Sequence, residues 1–424
     1  MNSLSDRDKQ HVWHPFTPQV GSDPNIPIVR GEGALLFDAD GNEYIDAISS
    51  WWVNIHGHCN PYIAQKIKQQ LDSMEHVLFS GYTHKPAVVL AEKLKKHLPY
   101  IDKVFYSDDG STSVEVALKM AFQYWHNQGQ QRTKVIAFEN AYHGDTFGSM
   151  SVGARNVFSN AFVPFLFEVI HIPVPVKGRE EAALSALKKN LTIETAAFIF
   201  EPLVQGAAGM IMYEASVLSE MIALCRSSGV ITIADEVMTG FGRTGTMFAT
   251  DQCSVRPDII CLSKGLTGGF MPLGATLCTK EIYSAYETTD RTKTFFHGHS
   301  YTANPLACAA AVASLELFDS GLPMKQVEEL EKTLSDFAGK ISSHAVVERV
   351  ESKGGILALE LKTAESSGYL NSIGESVASF FHKRGVIMRP LGNVIYVIPP
   401  YCISASQLQK ILNCIAEFLT NLAT

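Results

Sequence analysis

Two charged residues leave apolar runs at places where a charge is costly, and they carry the chemical signal of this chain. Val230-Ile231-Thr232-Ile233-Ala234 runs straight into Asp235-Glu236, and Asp258-Ile259-Ile260-Cys261-Leu262-Ser263 runs into Lys264. A carboxylate or an ammonium emerging from a buried strand needs a partner. A partly desolvated lysine is also a ready amine nucleophile once deprotonated. Asp235 and Lys264 are separated by 29 positions, about one strand–helix–strand unit, so both should point into one crevice. A structural salt bridge would produce the same pattern.

Two other segments should share that edge. Ser107-Asp108-Asp109-Gly110-Ser111-Thr112-Ser113 closes an apolar run and opens a helical pattern. Gly110 and Ser111 there offer free backbone N–H groups at the positive end of a helix dipole, suited to a phosphate; a plain Ser or Thr N-cap is the simpler alternative. Asn140-Ala141-Tyr142-His143-Gly144-Asp145-Thr146 places Tyr142 where it could stack on a planar ring and Asp145 where it could hydrogen-bond, whereas a lone His143 fits a structural role. Gly240-Phe241-Gly242-Arg243-Thr244-Gly245 matches a dinucleotide fingerprint. It stands five residues from its strand and opens no long helix, which argues against nicotinamide or flavin binding. A phosphate cup, an aromatic plate, an acid and a lysine together suit pyridoxal phosphate.

The elements that must position these groups are legible as periodicity. Short apolar runs at Val104–Ser107, Lys134–Phe138, Glu168–Ile172, Ala196–Phe200, Val230–Ala234, Asp258–Leu262 and Gly274–Cys278 alternate with helix-length segments. That alternation predicts an α/β fold with a mostly parallel, doubly covered sheet of seven strands. Gly274–Cys278 follows its predecessor too closely for a crossover helix and is expected to pair antiparallel. After residue 304, helical stretches at 304–319, 325–343, 372–384 and 406–421 enclose strand-like runs at 346–350, 355–361, 386–389 and 394–398, a smaller α+β unit. Near the start, Leu35-Leu36-Phe37 and Glu43-Tyr44-Ile45 read as a hairpin around Asp38-Ala39-Asp40-Gly41-Asn42. That turn has its glycine two positions too early for a calcium loop. The expected division is a large domain at 56–309 and a small domain built from 1–55 and 310–424.

Composition bounds the rest. The chain has 424 residues, 46% of them hydrophobic and 18% charged, with a formal net charge of −8. It is too long for one compact core and carries no basic stripe, so a small-molecule enzyme is favoured over a nucleic-acid binder. Its eight cysteines are scattered, with no C-x-x-C pair, and neither a disulfide framework nor a metal site is expected. The start MNSLSDRDKQHVWHPF lacks a signal-peptide core, and no apolar run approaches ~18 residues, so the expectation is a cytoplasmic protein without a membrane span. A mean hydropathy of +0.05 suggests apolar surface that a subunit interface would cover.

Asp235-Glu236-Val237-Met238-Thr239-Gly240-Phe241-Gly242-Arg243-Thr244-Gly245, followed by Ser263-Lys264-Gly265-Leu266-Thr267-Gly268-Gly269, resembles the signature of the class III aminotransferases. These are pyridoxal-phosphate enzymes of fold type I, dimers with the active site at the subunit interface. The resemblance extends over essentially the whole chain. Trp13-His14-Pro15-Phe16-Thr17, Ser49-Ser50-Trp51-Trp52, Tyr142-His143-Gly144-Asp145-Thr146-Phe147-Gly148 and Arg389-Pro390-Leu391-Gly392 are similar to the branch that aminates 8-amino-7-oxononanoate in biotin synthesis.

The resemblance implies that Lys264 carries the cofactor as a Schiff base and moves protons, and that Asp235 holds the pyridinium N–H. It also implies that Gly110 and Ser111 cradle the phosphate and that Tyr142 stacks on or beside the ring. The partner subunit's His299 and the partner subunit's Ser300 should complete the phosphate site. Phe16, Trp51, Gly298 and Arg389 should meet substrate, with Arg389 gripping the acceptor's carboxylate as a bidentate fork. Phe16 stands where members using S-adenosylmethionine carry a tyrosine, and His299-Ser300 where many carry Pro-Thr. Both features resemble members that take lysine as amino donor, whereas the Trp51-Trp52 pair resembles the S-adenosylmethionine type. S-adenosylmethionine is the expected donor and lysine the alternative. An ω-amino-acid aminotransferase would share the cofactor residues but differ at Trp13–Thr17 and Ser49–Trp52.

Overall fold

The structure, a computed structural model, describes residues 3–21 and 24–423. Its centre is a seven-stranded sheet of β1 (Ile101–Ser107), β2 (Lys134–Phe138), β3 (Ile170–Ile172), β4 (Thr195–Phe200), β5 (Ile231–Asp235), β6 (Ile259–Leu262) and β7 (Gly274–Thr279), in spatial order β1-β7-β6-β5-β4-β2-β3. The β2/β3, β2/β4, β4/β5 and β5/β6 pairs are parallel. β7 runs antiparallel to both β6 and β1, as the short β6–β7 connection requires. The central strands are uninterrupted apolar runs because both faces are covered: every residue of β4, β5 and β6 is buried.

Register explains why chemistry gathers at one edge. Ala234 lies opposite Phe200 on one side and Ile260 on the other, with Asp235 opposite Cys261. The residues following these pairs therefore leave the sheet side by side: Asp235 beside Glu201, with Lys264 three positions beyond Cys261. Helix α1 (Gly110–Asn127) starts at the same carboxyl edge, after β1. Its inward face, including Val114, Ala117, Leu118 and Ala121, is buried.

β1 begins at Ile101, earlier than its apolar pattern suggests. Asp102 and Lys103 interrupt the run, yet the β7 pairing continues past them to Ile101. Ile28–Glu32 is a further strand that pairs with Leu35–Asp38 at a sheet edge. It is mostly exposed, so it lacks the alternation that marks a half-buried strand. The predicted hairpin pairs Leu35–Asp38 with Glu43–Asp46, and Val386–Ile387 then adds in parallel to Glu43–Asp46. The Asp38 carboxylate accepts from the backbone N–H groups of Asp40 and Asn42, the Asn42 amide and the Tyr44 hydroxyl, which commits both oxygens to the turn. A second sheet of Val347–Lys353, Ile356–Leu361 and Val394–Val397 is antiparallel. Pro305–Asp319 is one continuous alanine-rich helix, packed on Pro61–Ser73 and Lys85–His97, so residue 310 falls inside a helix. Among the described residues, no single helix is long and apolar enough to cross a membrane.

Candidate active site

A cavity of about 640 Å³ opens at the carboxyl edge of the sheet, and Trp52, Gly110, Ser111, Tyr142, Asp235 and Lys264 all line it. Lys264 leaves β6 in a left-handed conformation, φ 43°, and starts a single 3₁₀ turn. Trp52 is left-handed as well, φ 67°, and the Lys264 Nζ lies 4.5 Å from the centre of its ring. Such backbone is uncommon outside glycine and recurs where surrounding structure forces a side chain into a functional position. Burial lowers the Lys264 amine from 10.5 to about 8; the Asp235 and Glu201 carboxylates oppose this shift and the Arg243 guanidinium reinforces it.

Asp235 is buried, and its Oδ2 lies 2.7 Å from His143 Nδ1, while Oδ1 accepts the Val237 N–H. His143 thus holds one carboxylate oxygen of Asp235 in the cavity wall. Glu201, which sequence reasoning passed over, is equally buried. Its oxygens accept the backbone N–H groups of Tyr142 and Gly206. Desolvation pushes its carboxyl from 4.5 up to about 7, with Asp235 adding to the rise. The signal was present: Ala196-Ala197-Phe198-Ile199-Phe200 runs into Glu201 just as the β5 run does into Asp235. The Tyr142 phenol is raised by burial first and by the neighbouring Asp145 carboxylate next.

The amino end of α1 has the makings of an anion cup. Asp109 caps it by accepting the Thr112 N–H at 2.9 Å, with Thr112 returning the bond to the Asp109 N–H. The other first-turn residues, Gly110 and Ser111, line the cavity. A Cβ at Gly110 would come within 2.6 Å of Val237 Cγ1, so only glycine lets the helix end approach the β5 edge this closely. The Ser111 hydroxyl accepts the Thr146 N–H at 2.9 Å, tying the cup to the Tyr142 loop.

A second cluster adjoins the first through the Trp51-Trp52 pair. Arg389 lies 4.4 Å from the centre of the Trp51 ring and 5.8 Å from that of Phe16, and Phe16 packs edge-on against Trp51. Phe158 and Tyr369, neither singled out by sequence, complete this aromatic box. Gly298, His299 and Ser300 stay outside both groups. They are exposed, with His299 Nδ1 3.4 Å from Asp108 on the rim. The Gly240–Gly245 segment is a buried tie: Arg243 donates to the carbonyls of Pro399 and Trp52.

The aminotransferase class-III family model matches residues 17–419. The chain belongs to the class-III aminotransferases. It is similar to the adenosylmethionine-8-amino-7-oxononanoate aminotransferase of Synechococcus elongatus, 48% identical, the match spanning 96% of this chain and 98% of that protein. The enzyme of the same name from Geobacter sulfurreducens is 41% identical over 97% of this chain and 96% of that protein. Among solved structures, the Methanocaldococcus jannaschii adenosylmethionine-8-amino-7-oxononanoate aminotransferase superposes with a TM-score of 0.94 at 37% identity, covering 99% of this chain and 98% of that one. An amine transaminase from an uncultivated Pseudomonas species, in its pyridoxal-phosphate-bound form, gives 0.90 at 31%, covering 96% and 97%. As a class-III aminotransferase of α/β architecture, the chain has a cavity that fits pyridoxal phosphate: a glycine-floored helix end for a phosphate, a buried carboxylate for a ring nitrogen, and an amine of lowered basicity.

Proposed function

We propose that this class-III aminotransferase transfers an amino group to 8-amino-7-oxononanoate, yielding 7,8-diaminononanoate for biotin synthesis, with S-adenosylmethionine as donor. The observation that carries the reading is the convergence of Lys264 and Asp235 on one cavity lined by the α1 end, with Arg389 beyond the adjacent Trp52 and Trp51. Bound pyridoxal phosphate would supply an electrophilic carbonyl and a ring that accepts electrons from the substrate carbon.

The protein's own groups divide the remaining work. Gly110 and Ser111, with the partner subunit's His299 and the partner subunit's Ser300, would hold the phosphate, and Tyr142 would cover the ring. Asp235, held by His143, would accept the ring N–H and keep that nitrogen protonated. Lys264, its basicity lowered by burial, would anchor the group covalently. The same amine would move a proton at the amine-bearing carbon of the substrate. Arg389 receives the acceptor's carboxylate, and Phe16 and Trp51 pack along its chain. Gly298 adds substrate contact from across a homodimer interface.

Lysine as donor is the second reading, favoured by Phe16, whose phenyl ring packs against Trp51 and carries no hydroxyl for a substrate. Supplying each donor separately with 8-amino-7-oxononanoate and measuring diaminononanoate decides between them. No product with either donor would overturn the acceptor assignment. We further assign the chain to the cytoplasm, in keeping with its eight free cysteines, and divide it into a cofactor-binding domain from 56 to the end of the Pro305–Asp319 helix and a small domain from both chain ends.

A further inference from the structure

A larger cavity of about 1030 Å³ adjoins the Lys264 cavity, and Tyr142 lines both. Tyr369 lines its far side, half-buried, and the Tyr369 hydroxyl accepts a hydrogen bond from Arg389 Nη2 at 2.8 Å. Among the described residues, that hydroxyl is the hydrogen-bond partner of Arg389, and no carboxylate is in ion-pair contact with the guanidinium. Rings of Trp51, Phe16 and Tyr369 stand 4.4, 5.8 and 5.8 Å from its carbon. A guanidinium held by aromatic faces and one neutral oxygen retains its positive charge and its other donors for an incoming anion.

The loop that carries Tyr369 is built onto the turn that follows Arg389. Asn393, buried, accepts the Ser367 hydroxyl at 3.0 Å and the Gly368 N–H at 3.1 Å, and donates to the Leu361 carbonyl at 2.9 Å. Leu391 and Val394 exchange both backbone hydrogen bonds around Gly392 and Asn393. Gly392 has φ 62°, and a Cβ there would fall 1.7 Å from the Gly368 carbonyl oxygen. The turn and the Tyr369 loop are therefore in direct contact and act as one unit.

We propose that Tyr369 is a positioning and specificity-determining residue. Its oxygen fixes the Arg389 fork in a single orientation, and its O–H, left free by that bond, donates to the substrate carboxylate. The inference rests on the reading of Arg389 as the group that receives the acceptor's carboxylate. Without the hydroxyl, the guanidinium must be ordered at each binding event, and the anion loses one donor.

The test compares kcat/KM for 8-amino-7-oxononanoate with that for its neutral primary amide, in the holoenzyme. Tyr369→Phe should lower the acid-to-amide ratio about tenfold, through KM rather than kcat, a step in keeping with loss of a hydrogen bond to a charged group. Calorimetric binding of nonanoate, a carboxylate probe that cannot turn over, should weaken by a similar factor. Asn393→Ala, which keeps the hydroxyl but frees its loop, should lower the ratio in the same direction. A ratio, unlike a rate, is insensitive to the fraction of folded enzyme. Tyr369→Phe with an unchanged ratio and unchanged nonanoate binding would overturn the inference while leaving Arg389 in place. If Arg389→Ala also leaves the ratio unchanged, the carboxylate assignment itself falls.

Discussion

At Lys264 the cost of burying a charge becomes a chemical property: its amine titrates at about 8 instead of 10.5 because the cavity withholds water from the ammonium. Covalent capture of pyridoxal phosphate by the apoprotein needs the neutral amine, so its rate should rise with pH through about 8 and level off above. Visible absorbance followed in stopped flow reads this directly. Glu201 favours the ammonium, so Glu201→Gln should move that midpoint to lower pH, whereas removing the Arg243 charge should move it higher. Shifts of the same sign in both variants would contradict this electrostatic account. Lys264→Ala should abolish capture and cost at least ~10²–10⁴-fold in turnover from its proton-transfer role alone. The same shift has a stability sign. The folded apoprotein binds fewer protons at Lys264 than the unfolded chain between about 8 and 10.5, so this group destabilises the fold below that window and ceases to do so above it. Glu201 has the opposite slope: its folded value is raised from 4.5 to about 7, so its contribution is fully present below 4.5 and is lost as pH rises through 7.

At the scale of elements, the positions of strand ends decide what meets what. β4, β5 and β6 were readable because strands buried on both faces must be apolar throughout, and an apolar run shows its own end when a carboxylate or lysine follows. The same reasoning applied to Phe200-Glu201 would have found the missing carboxylate. Tyr369 and Phe158 had no such marker. They sit in irregular loops whose positions depend on contacts such as Asn393 to Gly368, made between residues 25 apart with no periodic pattern. The α1 cup rests on one steric fact. Gly110→Ala would drive a methyl into Val237, pushing the helix end off the β5 edge, and overpacking of this kind should weaken pyridoxal-phosphate binding about tenfold or more. Equilibrium dialysis of the cofactor measures it. The Arg243 tie spans separate elements, joining the Gly240–Gly245 segment to Pro399 and to Trp52. Arg243→Leu should cost about 1–3 kcal/mol for the carbonyls it leaves unpaired, read from the midpoint of urea unfolding.

For the molecule as a whole, the exposed Gly298–Ser300 segment is the feature that a single chain leaves unexplained. Phe296 is 73% exposed and Tyr301 is 61% exposed on either side of it. Large apolar groups flanking a polar loop are what a subunit interface covers, and a loop placed there can reach a neighbour's cavity without lining its own. A shared site of this kind makes a quantitative prediction. Lys264→Ala lacks the amine in the chain that owns the cavity, and His299→Ala lacks the phosphate contact that, on the proposed reading, it would lend to its neighbour. If each parent dimer is strongly impaired, a mixed dimer places both lesions in one site and leaves the other intact. Co-refolding equal amounts should then restore about a quarter of wild-type activity, half of the dimers being mixed with one good site each. Were the site built from one chain alone, every site would carry one lesion or the other. The mixture would then show only the average of the two parents.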